Sequence, residues 1–116
     1  MDTLLTLNLD QGEWHTWGPG VEGKLLAEEN GAESCLIWMQ PGASWPSHPH
    51  PAEEETLVIQ GELIADGVVL KAGDFHLAQA GSAHGELLAP HGALFFIRYA
   101  VSRDHYHFDA VSAIAP

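Results

Sequence analysis

Among the 116 residues, the stretch Gly42-Ala43-Ser44-Trp45-Pro46-Ser47-His48-Pro49-His50-Pro51-Ala52-Glu53-Glu54 holds the densest set of groups able to do chemistry. In an extended chain, residues two apart project to the same face, so His48 and His50 present two imidazoles to one ion without any helix. Glu54 shares their parity and adds a carboxylate, while Glu53 and Glu55 stand ready under a one-residue shift of register. Pro49 and Pro51 remove backbone donors, which places the segment at an edge or rim. A third imidazole, His84, follows thirty residues after Glu54, in Gln79-Ala80-Gly81-Ser82-Ala83-His84-Gly85. Such a mixed nitrogen and oxygen shell suits one divalent ion per chain, zinc or iron first and manganese, nickel or cobalt next. Copper(I) or an iron–sulfur cluster wants thiolates, and Cys35 is the one cysteine.

Other histidines carry less. His76 lies on the strand leading toward His84 and reads as a packed or surface imidazole before it reads as an outer partner to a ligand. His15, His91, His105 and His107 fall in turns or end strands with no carboxylate at matching spacing. Trp45, Trp38 and Phe96 are the candidates for lining a substrate pocket. Trp45 leads them because it directly precedes the ligand segment, although aromatic residues on strands are more often core. Arg98, within Phe95-Phe96-Ile97-Arg98-Tyr99, must find a partner if it is buried. Cys35, in the apolar run from Cys35 to Met39, reads as a buried core thiol.

Groups so far apart along the chain need a framework that brings them to one place, and the hydrophobic pattern supplies it. Short apolar or alternating runs recur between turn signals: Leu4 to Leu9, Glu13 to Trp17, Lys24 to Ala27, Ser34 to Met39, Thr56 to Ile59, Leu63 to Ala65, Val68 to Leu70, Phe75 to Ala78 and Leu94 to Tyr99. That spacing predicts an all-β barrel or sandwich. Gly and Pro interrupt every candidate helical stripe. Asn30-Gly31 and Asp66-Gly67 specify turns, the second a two-residue hairpin flanked by β-branched or apolar residues. An antiparallel arrangement through that hairpin and the reversal at residues 71–74 returns His84 to the first histidines.

Composition bounds the rest. The length and the absence of any linker predict one domain over residues 1–116, and 46% hydrophobic residues support a compact core. Sixteen Asp and Glu against four Lys and Arg give a formal charge of −12, which repels nucleic acid and anionic membranes. No apolar run approaches the ~18 residues of a membrane span, and the N-terminus lacks a basic leader region. The expectation is a cytoplasmic protein that acts on a small-molecule ligand. Homodimerisation is expected too, the Leu4, Leu5, Leu7 and Leu9 run being able to add to a neighbour's sheet edge.

These residues resemble a known family. Gly42, His48, His50, Glu54 and Gly61 match the first cupin motif at every spacing, and Gly73, Gly81 and His84 match the second, with Gln79 where that motif has proline and Leu88 where it often has asparagine. The motifs occupy residues 42–61 and 73–88. The resemblance implies a single-domain double-stranded β-helix, the RmlC-like jelly-roll barrel, with His48, His50, Glu54 and His84 as the metal ligands at its mouth; it selects Glu54 over Glu53 and Glu55. Within the cupins, Trp17-Gly18-Pro19-Gly20-Val21, Lys24-Leu25-Leu26, Pro41-Gly42-Ala43 and the segment from His48 to Glu55 are similar to the C-terminal cupin domain of ChrR-type anti-sigma factors. Those factors also carry an N-terminal helical zinc-binding domain that grips the sigma factor, so what carries over is the barrel. Two functions follow from the resemblance: a dioxygenase-like metalloenzyme, or a zinc-binding sensor without catalysis.

Overall fold

A computed structural model describes residues 5–46, 48, 49, 53–84 and 86–100. All its regular structure is strand: β1 (His15–Gly18), β2 (Val21–Glu29), β3 (Ala32–Met39), β4 (Ala43–Trp45), β5 (His48–Pro49), β6 (Glu54–Ala65), β7 (Val68–Lys71), β8 (Phe75–Ala78), β9 (Ala83–His84), β10 (Leu87–Ala89) and β11 (Ala93–Ala100). Every pairing is antiparallel. The main sheet runs β1-β2-β3-β11-β6-β10-β4, with β7 and β8 also on β6, and β5 pairs with β9 apart from it. The result is the nearly closed jelly-roll barrel that the cupin resemblance implies.

Strand β6 builds the barrel because it serves two layers. Its first half pairs with β11 from Glu54 to Gly61 and with β8 from Glu54 to Leu57, whereas Glu62 to Ala65 pairs with β7 and its last two residues with β10. The change of layer falls at Gly61, whose φ of +80° suits glycine. A Cβ there would also run into the Gly92 carbonyl oxygen. Sequence reading divides this strand into Thr56 to Ile59 and Leu63 to Ala65; the backbone instead passes through Gly61 as one bent strand. Two further runs differ from expectation. Residues 5–9 form no strand, and Leu5, Leu7 and Leu9 stand exposed. Strands β4 and β10, three residues each, lack the length to show as an alternation.

Both two-residue turns form as the sequence specifies. Asn30 and Gly31 take φ of 53° and 77°, and Asp66 and Gly67 take 51° and 79°, the paired positive values of a type I′ hairpin. The core lies between the layers: Cys35, Ile37 and Met39 from β3 and Phe95 and Ile97 from β11 face Trp45, Leu63 and Leu87. The Trp45 ring sits 5.7 Å from that of Trp17 and 6.5 Å from that of Phe95 by centroid, tilted against both. A buried cation also lies outside this core. Lys24, 2% exposed, donates to the Leu9 carbonyl at 2.6 Å and lies 4.6 Å from the Trp14 ring, which straps the N-terminal segment to β2.

Candidate metal centre

His48 and His84 lie on a two-residue ladder separate from the main sheet. Strands β5 and β9 pair with His48 opposite His84 and Pro49 opposite Ala83. Cross-strand partners share a face of an antiparallel ladder, so the backbone brings two of the four expected ligands to one place across thirty-six residues of chain. His50 lies outside the described residues. Glu54 opens β6, with Tyr99 and Ala78 as its cross-strand partners on either side. It is 7% exposed, whereas Glu53 is exposed and Glu55 half-buried, so among the three neighbouring glutamates the inward one is the one at the motif position.

Glu54 faces a cavity of about 10 Å³ inside the barrel, room for about one water molecule. The wall is mostly apolar, with Trp45, Leu63, Phe95 and Ile97 among its residues, and its polar members are Glu54, Thr56 and His76. Thr56 and His76 are cross-strand partners one step deeper than Glu54 and Ala78. A carboxylate taken out of water needs a cation or hydrogen bonds to offset its desolvation. Two histidines whose backbones pair in register and an inward carboxylate are residue types whose donors zinc, iron(II) and similar ions accept, and in that respect the residues fit a divalent ion.

Of the three aromatics expected at a pocket, Trp45 lines this cavity with Glu54. Trp38 lies elsewhere, half-buried in an open groove of about 250 Å³ with Gln60, His91 and Gly92. Phe96 faces outward on β11 between Leu36 and Leu57, and its neighbour Phe95 takes the inward place. His76, read from sequence as a packed or surface imidazole, is half-buried on the cavity wall. Two buried groups escaped the sequence reading. Thr56 sits two residues beyond Glu54 on the same face, a position the alternation of β6 could have given. Glu33 pairs across the sheet with Tyr99 and has no such signal.

Together Glu33, Tyr99, Glu54 and Cys35 make the Glu54 end of the barrel interior polar. The Tyr99 hydroxyl donates to Glu33 Oε1 at 2.6 Å. Burial pushes the Cys35 thiol up to about 12; the Glu33 carboxylate adds to the rise, a hydrogen bond with Tyr99 opposes it, and Glu54 raises it further. Tyr99 is raised as well, by burial first and then by Cys35 and Glu33. Both groups therefore hold their protons at neutral pH and stay hydrogen-bond donors beside the carboxylates.

The family model described as the ChrR cupin-like domain matches residues 3–102. The anti-sigma-E factor ChrR of Cereibacter sphaeroides is 33% identical over 76 residues, which are 66% of this chain and 36% of that protein. This chain thus spans about a third of the curated relative it matches. Among solved structures, an RmlC-like cupin from Shewanella frigidimarina superposes with a TM-score of 0.76 at 24% identity, covering 88% of this chain and 95% of that one. An acetylacetone dioxygenase from Acinetobacter johnsonii gives a TM-score of 0.75 at 12% identity, covering 100% of this chain and 94% of that one. At these identities the two structures speak for the fold alone.

Proposed function

The chain belongs to the ChrR cupin-like domain family, and from that premise we propose that it is a metal-binding cupin in which His48, His50, Glu54 and His84 hold one divalent ion for dioxygenase-like chemistry on a small molecule. The observation that carries this reading is the pairing of His48 with His84 together with the inward Glu54 at the cavity. When bound, a divalent ion supplies Lewis-acid activation and, as iron(II), redox activation of a small chelating compound such as a diketone or a hydroxylated aromatic. Zinc and iron are the first candidates, manganese and nickel the next. The chain's own residues do the rest. Trp45 and Phe95 keep bulk water from the interior, and Thr56 and His76 offer hydrogen bonds from the wall beside Glu54. We place the protein in the cytoplasm as one cupin domain that pairs with a second copy and contacts small molecules in place of nucleic acid or membrane. Among the described residues no helix is long and apolar enough to cross a membrane.

A second reading has its own support: the identity to an anti-sigma factor favours a zinc-binding regulatory module without turnover. Elemental analysis of tag-free wild type, His48→Ala and Glu54→Ala separates the cases. The proposal expects close to one metal per wild-type chain and a loss in both variants. After iron(II) loading, oxygen uptake with a diketone or a hydroxylated aromatic supports the enzyme. Stoichiometric zinc with no uptake supports the regulatory module. A wild type that takes up no metal overturns the site.

A further inference from the structure

The outer face of the sheet, on the other side of β6, β8 and β11 from the cavity, carries apolar side chains where a solvated face is expected to be polar. Phe75 is 58% exposed, Leu77 45%, Leu57 40% and Ile59 39%, and Phe96 beside them is half-buried. The registers join them: Phe96 is opposite Leu57 and Leu57 is opposite Phe75. The next row on the same face runs Arg98, Glu55, Leu77, so one cation and one anion stand side by side at the border of the patch.

We propose that two copies of this chain pair face to face through Phe75, Leu77, Leu57, Ile59 and Phe96, with Arg98 of each copy set against Glu55 of the other. The inference rests on the pairing proposed above and adds the surface that makes it. A second copy is the occupant that the charges favour. A chain of net charge −12 repels acidic partners, and a cationic partner is drawn to the acids elsewhere on the surface and not to this charge-poor face. A two-fold contact brings residue i against residue j and j against i, and neighbouring Arg98 and Glu55 are the arrangement that satisfies itself under that operation. The exposed apolar area is on the order of 350 Å², the size of an interface core, and a polar rim completes the ~800 Å² per partner of a stable pair.

Sedimentation equilibrium of the metal-loaded full chain tests this. Wild type is expected to be a dimer, and Phe75→Ser/Leu77→Ser to raise its dissociation constant at least about tenfold. Arg98→Glu and Glu55→Arg are each expected to weaken pairing similarly, and the double reversal to bring it back to near the wild-type value. The double reversal also guards against a variant that fails through misfolding, because it keeps the cross-strand pair within each chain. Metal content is expected to be unchanged throughout. A monomeric wild type overturns both the surface and the pairing. A dimer that none of these substitutions weakens, or that is lost only on removing residues 1–8 or 101–116, overturns the surface and leaves the pairing to those segments or to another face.

Discussion

Cys35 and Tyr99 lie in the barrel interior with their protons held on, and that makes the stability of the protein sensitive to alkali. A thiol that titrates at 9.0 in the open chain is raised to about 12 in the fold, by burial before any charge. As pH climbs past 9 the unfolded chain gives up this proton while the folded chain keeps it, so unfolding gains the advantage. The contribution is whole below pH 9 and is lost toward pH 12, at up to about 1.4 kcal/mol per pH unit. Tyr99, also raised, adds a loss of the same sign once the unfolded tyrosine begins to titrate. For metal-free protein the melting temperature is expected to be level from pH 7 to 8.5 and to fall above 9. Cys35→Ala should flatten the first part of that fall; an equal decline in the variant would assign the sensitivity to other groups. At this scale the sequence was legible where chemistry and spacing coincide. His48 and His84 pair in register, and Cys35 is the buried thiol its apolar run announces. It was not legible where the answer is which face points inward. Phe95 and Phe96 differ only by parity, and although β11 alternates without a break from Ala93 to Ala100, its outward Leu94 and Phe96 are as apolar as its inward residues, so the pattern does not mark which face is inside.

Strand β6 shows what an element can hide. A glycine inside an alternating run reads as a stop, yet Gly61 is where the strand leaves one layer and joins the other. Two different glycine requirements separate here. At Gly67, in the hairpin, φ is +79° with open space around it, so Gly67→Ala carries only the backbone cost of about 1–2 kcal/mol. At Gly61 the same conformation is joined by a clash with the Gly92 carbonyl oxygen, so Gly61→Ala is expected to cost about 3 kcal/mol or more. Thermal unfolding should place the Gly61 variant roughly 15 °C below wild type and the Gly67 variant roughly 5–10 °C below it. Equal shifts would mean that the corner yields and the clash does not decide. The hairpins were readable because Asn-Gly and Asp-Gly fix their turns locally. The corner was not, because the atom that forbids a side chain at Gly61 comes from a loop thirty-one residues away.

Across the whole molecule, the strands that carry His48 and His84 are held by the least backbone. The β5–β9 ladder has two residues on each side, and one of the four is a proline with no N–H to give. The two strands carry His48 and His84, so a bound ion would cross-link them to each other and, through Glu54, to the long strand β6. A ligand that binds the folded state and not the unfolded one stabilises by the logarithm of its excess over the dissociation constant, about 4 kcal/mol at a thousandfold excess. In a chain of 116 residues that corresponds to a rise in melting temperature of roughly 15–25 °C. The protein also carries a charge of −12, and any cation relieves some of its self-repulsion, so a rise by itself does not locate the ion. Comparison separates the two contributions. Zinc, or iron(II) without oxygen, should raise the melting temperature far more than the same concentration of magnesium, a chelator should reverse the rise, and Glu54→Ala should lose most of it. If magnesium matches zinc, or Glu54→Ala responds as wild type does, the ion is stabilising the acidic surface and not the proposed site.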